Sequence, residues 1–213
     1  MTRRARPSDE APADDDLYRE VSGRADAEVR EKGSRFLAVC RSVTAEGEAR
    51  RLVAEVSARH HGATHHAWAV RVGHGDAALF RANDAGEPAG TAGAPILAAI
   101  DGRRLTNTVA VVTRWFGGVK LGTAGLARCY GAAAAAALDR AGVRERFREA
   151  RIAFRVGHAD VAAAQRVVFG AGGAFVGEAY GADARLTASV RRSREARVRE
   201  GLVAATSGRV TFI

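Results

Sequence analysis

The chain has 213 residues, 47% of them hydrophobic and 27% charged, with a net charge of +9 and a pI near 10.8. That length and balance describe one large or two small globular domains able to bury a core. No apolar stretch approaches the roughly 20 residues of a membrane helix, so no membrane association is expected.

Residues 1–16 hold Pro, Ser and the acidic run Asp14-Asp15-Asp16, with little to bury. They are expected to be a disordered tail. The basic start turns acidic with no apolar segment behind it, which argues against a secretory signal and for a cytoplasmic protein.

Residues 18–43 alternate polar and apolar, broken at Lys32-Gly33-Ser34, and predict two strands joined by a turn. Ala49, Leu52, Val53 and Val56 fall on one face of a helix over 45–60. Residues 66–72 alternate as a strand, with 77–80 as a short partner. Residues 81–93 are too rich in glycine and proline for regular structure. Thr91 is a candidate N-cap for a helix to about Ile100, with Pro95 in its first turns.

The β-branched run 109–113 predicts a central strand covered on both faces. It leads into Arg114-Trp115-Phe116-Gly117-Gly118, and Thr123 is placed to cap an alanine-rich helix that Gly142 ends. The charged stretch 144–149 reads as a linker. Beyond it the chain predicts strand 152–156, helix 160–169 capped by Asp160, strands 174–180 and 186–190, a basic helix 194–205 and strand 210–213. That β-α-β-β-α-β order is the ferredoxin-like pattern. The domains are therefore 17–143 and 150–213, after the 1–16 tail.

Several residue groups carry possible chemistry. Asp84 and Glu87 sit in a glycine-dense loop, where two carboxylates could serve as an acid/base pair or hold a cation. The structural alternative is helix capping and pairing with Arg114. Gly117, Gly118 and Gly122 precede a helix whose N-terminal amides could receive a phosphate, with Arg114 and Lys120 adding charge. Neither the P-loop pattern nor the Rossmann fingerprint is present, and no cofactor is expected. His60, His61, His65 and His66 lack tetrahedral spacing, and adjacent strand residues face opposite sides, so no metal site is assigned. Cys40 and Cys129 are expected to be buried, unbridged thiols.

Only Lys32 and Lys120 are lysines among the 33 basic residues. The arginine excess is compatible with a GC-rich coding bias, but the charge still attracts acidic partners. Arg191, Arg194 and Arg197 are the candidate nucleic-acid contacts, against the ordinary reading of a solvated helix face.

The segment Asn83-Asp84-Ala-Gly-Glu-Pro-Ala-Gly-Thr-Ala-Gly-Ala-Pro95, followed by Val111-Val-Thr-Arg-Trp-Phe-Gly-Gly-Val-Lys-Leu-Gly-Thr-Ala-Gly-Leu-Ala-Arg-Cys-Tyr-Gly131, strongly resembles the IMPACT/YigZ family. Lys32-Gly-Ser-Arg-Phe-Leu37 and His65-His66-Ala-Trp68 match family features as well, and the likeness spans about 18–213. Asn83 stands where the family has the first of two acidic residues, and Ala124 where a glycine is usual.

The resemblance implies an α+β protein of two domains. The first is a ribosomal-protein-S5-domain-2-like α/β domain, similar to domain four of the translocating elongation factor. The second is a ferredoxin-like βαββαβ domain, like that factor's last. Asp84, Glu87, Thr91, Arg114, Gly117, Gly118, Lys120, Gly122 and Arg128 make up the candidate binding surface. The expected function is translation-associated regulation, or binding of RNA, the ribosome or a translation-factor protein. The alternative is a hydrolase or phosphoryl-handling enzyme using Asp84, Glu87, Arg114 and Lys120. No residue is assigned a catalytic role.

Overall fold

The computed structural model describes residues 16–74 and 78–213. They divide into two units, Tyr18–Glu145, and Arg146–Ile213 with Asp16 and Leu17.

From Leu17 to Phe147 the chain runs β1 (Leu17–Val21), β2 (Ala25–Glu31), β3 (Ser34–Ser42), α1 (Glu46–Arg59), β4 (His65–Val72), β5 (Leu79–Asn83), α2 (Gly93–Asp101), β6 (Thr108–Trp115), α3 (Gly122–Ala141) and β7 (Val143–Phe147), all of it in the larger unit except Leu17, Arg146 and Phe147. Residues 18–43 thus form three strands, not two, and residue 77, the predicted start of the strand 77–80, lies outside the described residues. Five strands make an antiparallel sheet in the order β2-β3-β6-β4-β5, while β1 pairs with β7.

β6 is the central strand, and its two faces are both covered, as its β-branched run predicts. Val109 and Val111 pack with Leu52 and Val56 of α1. Ala110 and Val112 face the other way, among Ile96, Ile100 and the buried alanines of α3. On that side the sheet offers Ala38, Ala67, Ala69 and Ala110 to Ala133, Ala134 and Ala137. Small residues on both sides let the long helix lie close to the strands, and alanine gives up no side-chain entropy there. Gly142, at φ 68°, ends α3.

The smaller unit contains β8 (Glu149–Val156), α4 (Val161–Gly170), β9 (Ala174–Tyr180), β10 (Ala184–Arg191), α5 (Glu195–Ala205) and β11 (Thr211–Phe212). Its sheet order is β11-β8-β10-β9, with all neighbours antiparallel. Ile152, Phe154, Leu186 and Val190 meet Ala164, Val168, Val198 and Leu202 of the helices on one face.

Three local expectations are corrected. The stretch 144–149 is strand on both sides of Arg148 rather than linker, because Val143–Phe147 pairs with β1 and β8 begins at Glu149. Arg144 binds Glu20 at 2.7 Å, and Phe147 carries the Arg191 guanidinium at 3.6 Å. Residues 1–15 of the expected tail lie outside the described residues, but Asp16 is buried and accepts the Ser193 amide at 2.7 Å. The hydroxyl and acid caps also differ. Asp160 holds Arg209 through both oxygens, at 2.9 and 2.7 Å, instead of the α4 amides, and Thr123 lies inside α3.

Candidate functional site

The loop between β5 and α2 is organised around Asp84. One carboxylate oxygen accepts the amides of Ala92 at 2.9 Å and Gly93 at 2.8 Å, and the other accepts Gly90 at 2.8 Å. Asp84 therefore performs the capping expected of Thr91, whose hydroxyl instead donates to the Pro88 carbonyl at 2.7 Å. Burial raises the Asp84 pKa, but the three amides outweigh it and hold the carboxyl below its ordinary value. A fold-closing role engages both oxygens.

Glu87 is buried, and Oε1 accepts hydrogen bonds from Arg114 Nη1 at 2.6 Å and from the Tyr130 hydroxyl at 2.7 Å. Arg114 comes from the end of β6 and Tyr130 from the middle of α3, so the triad ties loop, sheet and helix together. Arg114 is 6% exposed and Tyr130 is fully buried, so the pair is enclosed rather than open. Burial first, then the bond to Glu87, drive the Tyr130 pKa far upward, so the phenol is neutral. Arg114 Nε is buried without a hydrogen-bond partner, and the guanidinium lies 5.6 Å from the Phe36 ring centre. His65 donates from Nδ1 to the Ala85 carbonyl at 2.9 Å, and its Nε2 approaches Glu87 to 3.9 Å.

The glycines after β6 divide by role. A Cβ on Gly117 would run into the Gly33 carbonyl carbon and the Ser34 amide nitrogen, so two backbones meet there. The Gly117 amide donates to the Ser34 hydroxyl at 3.1 Å, which removes it from any anion site. Gly118 and Gly122 have room for a Cβ but adopt φ of 86° and 71°. Lys120 is exposed, and Arg128 reaches Glu31 at 3.2 Å. Thus the structure brings together Glu87 and Arg114, and leaves Lys120, Gly118, Gly122 and Arg128 outside that cluster.

The four histidines also separate. His66 Nδ1 lies 3.1 Å from the Thr113 hydroxyl, and His60 packs edge-on against Trp115 with ring centres 5.4 Å apart. Cys40 and Cys129 are buried free thiols, with burial raising the Cys40 pKa to about 11.

In the smaller unit, α4 and α5 enclose a groove of about 510 Å³. Arg166, Arg194 and Arg197 line it with Val167 and Val198, and no carboxylate does. Arg194 is positioned by donating to the Ala171 carbonyl at 2.7 Å. Arg191 is elsewhere, stacked on Phe147.

The family model described as the Impact N-terminal domain matches residues 32–138, half of the chain. The chain belongs to the IMPACT family. All of Asp84, Glu87, Arg114 and Tyr130 fall within the matched stretch. The IMPACT family member YvyE of Bacillus subtilis is 42% identical over 61% of this chain and 59% of its own length. YigZ of Escherichia coli is 41% identical over 47% of this chain and 50% of its own. These matches therefore span less than two thirds of the curated relatives.

A crystal structure described as that of a hypothetical protein covers 93% of this chain and 97% of its own, at 25% identity and a TM-score of 0.67. A structure of the two-domain translational regulator Yih1 covers 67% and 55% at 25% identity, with a TM-score of 0.37.

Sequence reasoning missed Tyr130 and Arg166 as members of these groups. Tyr130 lies among apolar helix positions, where a buried hydroxyl requires a partner. That was its available signal. Arg166 is one isolated charge on a helix, and only the packing of α4 beside α5 gives it company.

Proposed function

We propose that this IMPACT family member is a translation-associated binding protein that contacts RNA through its smaller unit. The observation that carries the reading is the groove between α4 and α5, with three arginines and no acidic lining residue. Guanidinium forks suit phosphate oxygens, and a cluster of them gives sequence-independent affinity. Family membership supports the link to translation, the role that the resemblance of residues 83–131 to the IMPACT/YigZ family implies.

The order β-α-β-β-α-β with sheet order β11-β8-β10-β9 supports a ferredoxin-like assignment for this unit. The antiparallel sheet with helices on both faces supports the S5-domain-2-like reading of the larger one. The enzymatic alternative requires Asp84 and Glu87 as working groups. Asp84 is engaged by three amides and Glu87 by an arginine and a tyrosine. That geometry favours a scaffold role.

The test is fluorescence anisotropy with labelled single-stranded and structured RNA at several salt concentrations. Binding tighter than millimolar and steeply weakened by salt is expected. Replacing Arg166, Arg194 and Arg197 by Gln should reduce the slope of log affinity against log salt by about 2. Affinity no better than millimolar, or independent of salt, would sink the proposal.

A further inference from the structure

Arg155 on β8 and Arg185 on β10 are direct cross-strand partners. Their neighbours Phe154, Val156, Ala184 and Leu186 fill the core beneath α4 and α5. Side chains alternate along a strand, so both arginines stand on the face turned away from the helices. Both are exposed. Two like charges directly opposite each other destabilise an antiparallel pair. Nothing in the folding of this sheet calls for that arrangement.

Arg151 lies on the same face of β8, about 13 Å along the strand from Arg155 at 3.3 Å per residue. Neither Arg151 nor Arg185 enters an ion pair among the described residues. Asp183 reaches Arg155 at 3.7 Å, with both side chains nearly half exposed, and such a pair contributes little. Glu149, further along, accepts the Ser189 hydroxyl at 2.7 Å.

The floor between the arginines is low. Ala153 pairs with Thr187, which pairs in turn with Gly177. A recess of about 300 Å³ opens beside the pair, bounded by Tyr180, Gly181 and Asp183.

We infer that this open face of the β8–β10 pair is a second phosphate-binding surface, for the sugar-phosphate backbone of RNA. It lies on the other side of the sheet from the α4–α5 groove, and it rests on the reading that the chain binds RNA. The face has arginine forks to meet phosphates. Its β8 and β10 positions present Ala153 and Thr187 instead of aromatic rings, and Tyr180 at the edge of the recess is stacked on His158 and donates to Glu178, so the strand surface between the arginines gives no platform on which to stack and read bases. Binding there is to the backbone and insensitive to sequence.

The experiment measures anisotropy of a fluorescein-labelled uridine oligonucleotide with the full chain and three variants. These are Arg155→Gln with Arg185→Gln, Arg155→Lys with Arg185→Lys, and Arg166→Gln with Arg197→Gln. The first should lose about tenfold in affinity at low salt, with the salt slope smaller by about 1.4. Its melting temperature should equal or exceed that of the wild type, because the like-charge opposition is gone. The lysine pair should keep the wild-type slope. Loss in the Arg166/Arg197 variant should be separate and additive.

A glutamine pair with wild-type affinity and slope, beside a wild type that binds, overturns this inference and leaves the groove reading standing. Displacement of the oligonucleotide by polyglutamate at equal charge concentration also overturns it, assigning the face to acidic protein. A wild type that fails to bind removes both readings, and is recognised before any variant is made.

Discussion

Glu87 receives two hydrogen bonds on one oxygen in a site almost closed to solvent. Arg114→Ala should therefore destabilise the larger unit by about 3–5 kcal/mol, because an unpaired carboxylate is left buried. The double substitution Glu87→Leu with Arg114→Met should cost clearly less than the sum of the two single changes. Chemical denaturation of all four proteins would show it, and strict additivity would refute the coupling.

Asp84 makes a different statement. Its folded pKa is depressed, so its stabilisation is present above the unfolded value of about 3.9 and lost as pH falls through the folded value. Asp84→Ala should lower stability at pH 7 by about 1–2 kcal/mol. It should also flatten the fall in stability below pH 4. A variant with the wild-type acid profile would mean that the amide cradle does not hold a carboxylate.

At the scale of elements, the turn between β2 and β3 meets the segment after β6 at Gly33 and Gly117. A Cβ on Gly33 would lie 2.8 Å from the Gly117 oxygen, and one on Gly117 would collide with backbone that cannot rotate aside. Gly117→Ala should thus cost about 1–3 kcal/mol through forced separation. Gly118→Ala faces open space and only an unfavourable φ, near 1 kcal/mol. Equal melting temperatures for the two variants would contradict this division of roles.

The elements also show what the sequence made legible. The β-branched stretch announced the central strand, and Gly142 announced the end of α3, because burial on two faces and a left-handed terminus each admit few residue types. The strand Val143–Phe147 was hidden by three consecutive charges, Arg144, Glu145 and Arg146, which a two-stranded pair tolerates because it has no buried face to fill. The caps at Thr91 and Asp160 were misread for another reason. A hydroxyl or carboxylate before a helix is a local signal, while Asp84 and Arg209 arrive from elsewhere in the chain. Asp84, Glu87 and Arg114 could be picked out as a group; that the group is closed depended on the depth of Tyr130.

Across the whole molecule, a charge of +9 is not spread evenly in effect. Many arginines are paired with nearby acids, as Arg24 with Glu55 or Arg103 with Asp139. The groove arginines of the smaller unit have no acidic lining, and Arg155 faces Arg185. The glycine-rich segment that marks the family thus does structural work, and the proposed RNA binding falls to arginine surfaces outside it. Its most direct test compares RNA affinity and melting temperature for Tyr130→Phe and for the Arg166, Arg194 and Arg197 to Gln variant, below the melting point of each. Tyr130→Phe should melt earlier, by the loss of about 1.5–3 kcal/mol, and bind RNA as the wild type does. The arginine variant should melt with the wild type and bind more weakly. The opposite pattern, with RNA affinity lost through Tyr130 and kept without the groove arginines, would contradict the account.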